Sequence, residues 1–214
     1  MRVEDGETVG IIGPNGHGKS TILKTISGLL TPRQGHIRFD GKDIDGLAPH
    51  KIAELGIIHV PEGGRLFPYM TVLENLRLGA YVRHAWRTRE KNLRIVFELF
   101  PILERLMGRR CSTLSGGERQ ALAIARGLMS SAKLLMLDEP SLGLSPKLTL
   151  EVLEKIKEIK EMGISMILVE QNVTYATEVP DRLYLIEKGM VAAKGERNTI
   201  LRDEHIRQAY LGMA

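Results

Sequence analysis

The stretch Gly13-Pro14-Asn15-Gly16-His17-Gly18-Lys19-Ser20-Thr21 constrains this chain more than any other. It fits the pattern G-x-x-x-x-G-K-[ST] of a phosphate-binding loop. Ahead of it, residues 8–12 form an apolar strand-like run; behind it, residues 22–30 carry apolar side chains at helical spacing. Glycines let the backbone turn its N–H groups inward, where a Cβ would block a phosphate. The following helix adds its positive end and its free N–H donors. Lys19 can then reach the β- and γ-phosphates of a nucleoside triphosphate, and the Ser20 hydroxyl can ligate Mg²⁺. A plain glycine-rich turn before a helix does not require every fixed position of this motif to be filled, so residues 13–21 are expected to bind ATP.

The rest of the composition narrows the class. With 43% hydrophobic and 26% charged residues, the 214-residue chain has ample core and no signature of disorder. A net charge of +4 suits an anionic nucleotide or a membrane surface and is too weak to argue for nucleic acid. The one cysteine, Cys111, cannot form an intrachain disulfide and reads as a small filler in a reducing compartment. No run approaches the ~18 apolar residues of a membrane span. Residues 1–6 lack the apolar stretch of a signal peptide. The expected location is the cytosol, or the cytoplasmic face of the cell membrane. The six histidines show no metal-ligand spacing. Asn172-Val173-Thr174 matches a glycosylation site that a cytosolic chain would not use.

Apolar strand-like runs alternate with helical patterns along the chain. Residues 36–44 read as a hairpin turning at Asp40-Gly41, 49–55 as a short helix and 57–60 as a buried strand. Residues 61–70 form a Gly- and Pro-containing loop. The pattern is helical over 71–110, with Leu93, Val96, Phe97 and Phe100 on one face of 89–106. Helices follow at 116–129, 146–162 and 204–211. Strands are expected at 133–138, 164–169, 182–186 and 190–193, the last two joined at Lys188-Gly189. Such alternation predicts an α/β fold with a mostly parallel sheet covered on both faces. The basic run 83–94 reads as a solvated face, with lipid headgroups or a membrane partner as the lesser alternative.

Two further segments carry chemistry. Leu134-Leu135-Met136-Leu137 is a buried-type strand that delivers Asp138 to its tip, where a carboxylate can hold Mg²⁺. Glu139 follows at once, placed to orient or deprotonate an attacking water. In Leu114-Ser115-Gly116-Gly117-Glu118-Arg119-Gln120, a serine and two glycines open a helix, a second anion-seeking helix end. A helix cap explains Ser115 but does not need two glycines, each of which weakens a helix by ~1 kcal/mol relative to alanine.

In order and spacing, these three segments resemble the ATP-binding-cassette (ABC) ATPases over nearly the whole chain. The resemblance implies one P-loop domain over residues 1–214, with a helical subdomain inserted at about 72–130 and an N-terminally shortened antiparallel β subdomain. It implies ATP and Mg²⁺ as ligands. It also implies a head-to-tail pair of cassettes, in which Ser115, Gly116, Gly117 and Glu118 of one chain meet the ATP held by the other. By the same resemblance Glu139 is the catalytic base. Ser145 stands where the intersubunit loop of the family usually ends in Asp, a departure at one implied intersubunit contact.

Glu62 stands where the family offers glutamine to the metal and the water, and Gln171 stands where it has a switch histidine. Gln171 can hydrogen-bond a γ-phosphate but cannot titrate as histidine does. Both departures resemble the branched-chain amino-acid importer subgroup. So do Pro61-Glu62-Gly63, Glu74-Asn75-Leu76, Gly79-Ala80-Tyr81, Ser141-Leu142-Gly143-Leu144 and Ala209-Tyr210-Leu211-Gly212. Urea- and amide-type importers share much of this wording. The implied partners are a second, related cassette, transmembrane permease subunits and, indirectly, a periplasmic or extracellular solute-binding protein. Family members carry an adenine-stacking aromatic upstream, whereas the first aromatic here is Phe39. Weaker ATP binding than in a full-length relative and an open sheet edge are therefore expected, or else a start codon assigned too late. A non-transport ABC ATPase would need a long coiled-coil insert or two cassettes. A small phosphotransferase would leave the Ser-Gly-Gly segment unexplained.

Overall fold

A computed structural model describes residues 1–200. The helix expected at 204–211 and the motif at 209–212 lie outside the described residues. In chain order the elements are β1 (Thr8–Ile12), α1 (Lys19–Ile26), β2 (Arg38–Phe39), β3 (Lys42–Asp43), α2 (Pro49–Leu55) and β4 (Ile57–Val60). Then come α3 (Val72–Gly79), α4 (Arg83–Leu99), α5 (Pro101–Arg105), α6 (Gly116–Leu128) and β5 (Leu134–Asp138). The described chain ends with α7 (Pro146–Glu161), β6 (Ser165–Val169), α8 (Val173–Ala176), β7 (Arg182–Glu187), β8 (Met190–Glu196) and α9 (Arg197–Ile200).

Six strands form one sheet in the order β4-β5-β6-β1-β7-β8. The first five run parallel, and β8 pairs antiparallel to β7. Every residue of β1, β5 and β6 is buried, as their unbroken apolar runs require. Side chains alternate across the sheet. Val9, Ile11, Met136, Ile167 and Val169 pack on one face with Leu23 and Ile52. Leu135, Leu137, Met166 and Leu168 pack on the other with Leu122, Ile124, Leu153 and Ile156. Each such fully buried aliphatic side chain contributes roughly 1.5–3 kcal/mol. Because the strands are parallel, the phosphate loop, Asp138, Glu62 and Gln171 all emerge at the carboxyl edge of the sheet, where open α/β sheets place their ligands.

Helix α6 approaches the sheet closely. A Cβ on Gly127 would lie 2.9 Å from Val60 Cγ2 and 3.1 Å from Leu135 Cδ1. At Gly79, α3 comes equally near α6, since a Cβ there would sit 2.2 Å from the Arg126 carbonyl oxygen. The glycine of the Gly79-Ala80-Tyr81 motif thus has a packing cause.

Several expected boundaries move. Helix α1 begins at Lys19 and stops at Ile26, short of residue 30. Gly28 takes φ +74°, and the N–H groups of Leu29 and Leu30 turn back to the Lys24 carbonyl at 2.9 and 3.1 Å. A left-handed glycine cap overrides the apolar spacing there. The helical stretch 71–110 is three helices. It breaks after Gly79 and again at Phe100, which precedes Pro101 with non-helical torsions (φ −126°, ψ 71°). The hairpin turns at Asp40-Gly41 as expected, both at positive φ, but its ladder shrinks to two residues a side plus one bond from Ile44 N–H to Ile37 O (2.9 Å). Strand β8 runs on to Glu196, and the short helices α8 and α9 were not anticipated. Asn172 of the unused sequon caps α8, its Oδ1 accepting from Thr174 N–H at 3.0 Å. Cys111 is buried, and burial raises its thiol pKa, as suits a filler.

Candidate functional site

The phosphate loop follows directly from β1. Gly13 sits at φ +143°, and a Cβ there would lie 2.1 Å from the Ile186 carbonyl oxygen, so only glycine fits. Gly18, at φ +101°, precedes the first turn of α1, which carries no capping side chain and leaves its N–H groups available to a ligand. Lys19 is 4% exposed. Its ammonium donates to the carbonyls of Gly13 (2.9 Å) and Pro14 (3.2 Å) and to Asn15 Oδ1 (3.5 Å), and lies 3.7 Å from Glu139 Oε1. The lysine therefore points across the mouth of its own loop. His17 braces the loop from outside. Its Nδ1 accepts from Lys188 N–H (3.2 Å), while its carbonyl accepts from Gly189 N–H (3.1 Å), seating the β7–β8 turn on the loop.

The Ser20 hydroxyl donates to Asp138 Oδ1 at 3.0 Å. These two hard oxygens, from α1 and from the tip of β5, meet at one point. Asp138 is 4% exposed, and no Lys or Arg among the described residues pairs with it; the His59 ring nitrogen Nε2 lies 3.9 Å from its Oδ2. A buried carboxylate beside a serine hydroxyl, with little protein charge against it, fits Mg²⁺, which takes one or two protein oxygens and completes its shell from phosphate and water. No group of three or more His, Cys, Asp or Glu side chains is placed to hold a metal ion among the described residues, and a Mg²⁺ site of this kind needs none.

Glu139 follows Asp138 in a left-handed conformation, φ +48°, which is strained for a non-glycine residue. Burial raises its carboxyl pKa first of all. The Lys19 ammonium opposes this, and the charges of Glu62 and Asp138 reinforce it. A carboxylate held above its ordinary range near a phosphate loop is suited to accept a proton. The structure thus brings together Lys19, Ser20, Asp138 and Glu139, with Glu62 near enough for Glu139 to feel its charge. Gln171 is exposed, just beyond the end of β6.

Ser115, Gly116, Gly117 and Glu118 are elsewhere; among the described residues no hydrogen bond or ion pair links them to the loop. Ser115 does cap α6, in a reciprocal pair with Glu118 (Ser115 N–H to Glu118 Oε2 2.7 Å, Glu118 N–H to Ser115 Oγ 3.3 Å). Gly117 lies under Leu148, 3.0 Å from where its Cβ would be. Gly116 is exposed, and crowding does not explain it.

Two buried groups escaped the sequence reading. His59, in β4, has its Nδ1 3.4 Å from Ser27 Oγ and its Nε2 buried without a hydrogen bond. A polar residue inside a buried strand was its only signal. Glu170, 1% exposed, has its pKa pushed up to about 7, mainly by burial, against the pull of its hydrogen bonds to Ser141.

Comparison with known proteins finds relatives in both sequence and fold. Residues 1–142 match the family model described as ABC transporter. The chain is 41% identical over 212 residues to the high-affinity branched-chain amino acid transport ATP-binding protein BraG of Pseudomonas aeruginosa, covering 99% of this chain and 91% of that one. It is 38% identical to the probable branched-chain amino acid transport ATP-binding protein LivF of Archaeoglobus fulgidus (99% and 89% covered). It is also 33% identical to the lipopolysaccharide export system ATP-binding protein LptB of Escherichia coli (99% and 88%). Among solved structures, an ATP-binding cassette of an ABC transporter in its ADP conformation superposes with TM-score 0.82 at 29% identity, covering 99% and 90% of the two chains. A dimeric cassette in a post-hydrolysis state bound to ADP and Pi superposes with TM-score 0.78 at 26% identity (92% and 88% covered).

Proposed function

The chain belongs to the ABC transporter family and is an ATPase of that family, and on that premise we propose that it is the ATP-hydrolysing subunit of an importer for branched-chain amino acids. The observation that carries the substrate is the identity of 41% and 38% to two branched-chain amino acid transport ATP-binding proteins over 99% of the chain. Residues 13–21 bind the phosphates. Lys19 leaves the carbonyls of Gly13 and Pro14 for the β- and γ-phosphates, which satisfy its charge better than neutral oxygens do. Ser20 and Asp138 would hold Mg²⁺, with Glu62 as a further candidate ligand. When bound, the ion neutralises phosphate charge as the γ-phosphoryl group is transferred. Glu139 takes the proton of the attacking water, and Gln171 hydrogen-bonds the γ-phosphate.

Ser115, Gly116, Gly117 and Glu118 serve the ATP of a second cassette, so closure of two cassettes completes each site. The loop 61–70 and the exposed side chains Phe67, Tyr69, Met70 and Leu78 face membrane subunits at the cytoplasmic side. No helix among the described residues is long and apolar enough to cross a membrane, so that location comes from docking. Glu139→Gln tests the chemistry. It is expected to bind ATP and to associate in its presence, with hydrolysis lost by several orders of magnitude. Turnover at the parental rate removes Glu139 from the role of base. The solute is tested by copurifying the membrane subunits and measuring leucine uptake in reconstituted vesicles. A second reading, lipopolysaccharide export, rests on the 33% identity to LptB, and the same copurification decides it.

A further inference from the structure

Glu170 is buried and ionisable, and nothing in the chemistry above uses it. It follows β6 and precedes Gln171. Its carboxylate accepts two hydrogen bonds from a single residue: Ser141 N–H to Oε1 at 3.0 Å and Ser141 Oγ to Oε2 at 2.7 Å. One residue earlier, the Val169 carbonyl accepts from Glu139 N–H at 2.9 Å. Two successive residues at the end of β6 therefore grip the two residues that flank Pro140. Inside that grip lies Glu139, at φ +48°. A non-glycine residue keeps such a conformation only while its surroundings enforce it. The grip is itself anchored, because Glu170 N–H donates to the Ile11 carbonyl at the end of β1 (3.3 Å), just before the phosphate loop.

A carboxylate is a costly way to fill a buried space, and it is tolerated here because both oxygens are bonded. We propose that Glu170 is a positioning residue: its two-pronged hold on Ser141 fixes the strained Glu139-Pro140 turn, aims the Glu139 carboxylate, and makes Gln171 and the loop 141–145 move as one unit. The hold works through hydrogen-bond geometry rather than charge. A glutamine can reproduce it, accepting from Ser141 N–H and donating to Ser141 Oγ. The inference rests on the reading of Glu139 as the base.

The test compares Glu170→Ala, Glu170→Gln, Ser141→Ala and Glu139→Gln in the complex copurified with the second cassette and the membrane subunits, by steady-state ATP hydrolysis and by fluorescent-ATP titration. Misaiming a catalytic group by about 1 Å costs on the order of 10²-fold in rate. Glu170→Ala is expected to lose kcat on that scale with its affinity for ATP within about twofold of the parent. Glu170→Gln is expected to recover most of the loss. Ser141→Ala, which keeps the backbone bond, is expected to fall between, and it serves as the deciding variant if Glu170→Ala does not fold. The inference is overturned if Glu170→Ala keeps the parental kcat, if glutamine rescues nothing, if ATP affinity falls in step with kcat, or if Ser141→Ala is indistinguishable from the parent. Glu139→Gln separates the two readings. An active Glu139→Gln refutes the base assignment, whereas an inactive one beside a fully active Glu170→Ala refutes only the positioning role.

Discussion

At the scale of single residues, two carboxylates give the chain opposite responses to pH. Glu170 is raised to about 7 from 4.5, chiefly by burial. A carboxyl whose folded pKa exceeds its unfolded one binds an extra proton in the folded state between the two values. Its contribution is intact below the unfolded pKa and is lost as pH rises through about 7. Glu170→Gln should therefore gain stability relative to the parent between pH 5 and pH 8, by up to a few kcal/mol. Urea unfolding at the two pH values measures this, and parallel curves would contradict it. Glu7 behaves the other way. The Arg182 guanidinium, bonding it from Nε and from Nη2 (2.9 Å), holds its carboxyl below the ordinary value. That contribution is present above the unfolded pKa and disappears as pH falls through the lower, folded one. Glu7→Gln is expected to cost roughly 1–2 kcal/mol at pH 7, the pair being partly exposed, with the deficit vanishing in acid.

At the scale of elements, what was legible in the sequence depended on whether its cause was local. β1, β5 and β6 were readable because burial on both faces leaves an unbroken apolar run. Asp138 and Glu139 were readable because they end such a run. The pairing of Glu170 with Ser141 was not, since 29 residues separate them and only the sheet brings them together. His59 was hidden in the same way, among the apolar neighbours of β4. Helix ends failed where one residue outweighed a pattern, as at Gly28 and at Pro101. Helix α6 carries both kinds of information. Its Ser115-Glu118 cap is local and could be read directly, whereas Gly127 matters only because Val60 and Leu135 press on it. Gly127→Val is expected to cost about 1–3 kcal/mol by overpacking, or more if α6 must shift from the sheet. Ser115→Ala should cost only about 1 kcal/mol through the lost cap. Denaturant midpoints of the two variants, compared with the parent, check both the order and the size.

At the scale of the whole molecule, the proposed site is divided between two places in the fold. The phosphate loop, Ser20, Asp138 and Glu139 form one cluster; the opening of α6 stands apart, with Ser115 and Gly116 exposed and no hydrogen bond or ion pair to that cluster among the described residues. In the first turn of α6 the Glu118 N–H is taken by Ser115, whereas Gly116 and Gly117 precede any intrahelical acceptor and keep free donors. Free donors at the N-terminus of a 13-residue helix attract an anion. If that anion is the γ-phosphate held by another cassette, amide hydrogen exchange should show two separate events. ATP added to the isolated chain, as Glu139→Gln to prevent turnover, should slow exchange at residues 13–21 and leave residues 115–118 as fast as before. Protection of 115–118 should appear only when a second cassette is present, whether another copy or a related chain. The central strands β1, β5 and β6 should be the slowest in both conditions, because their opening requires global unfolding. Protection of 115–118 by ATP in a demonstrably monomeric sample would mean that the segment binds its own chain's nucleotide, and the two-cassette reading would fall.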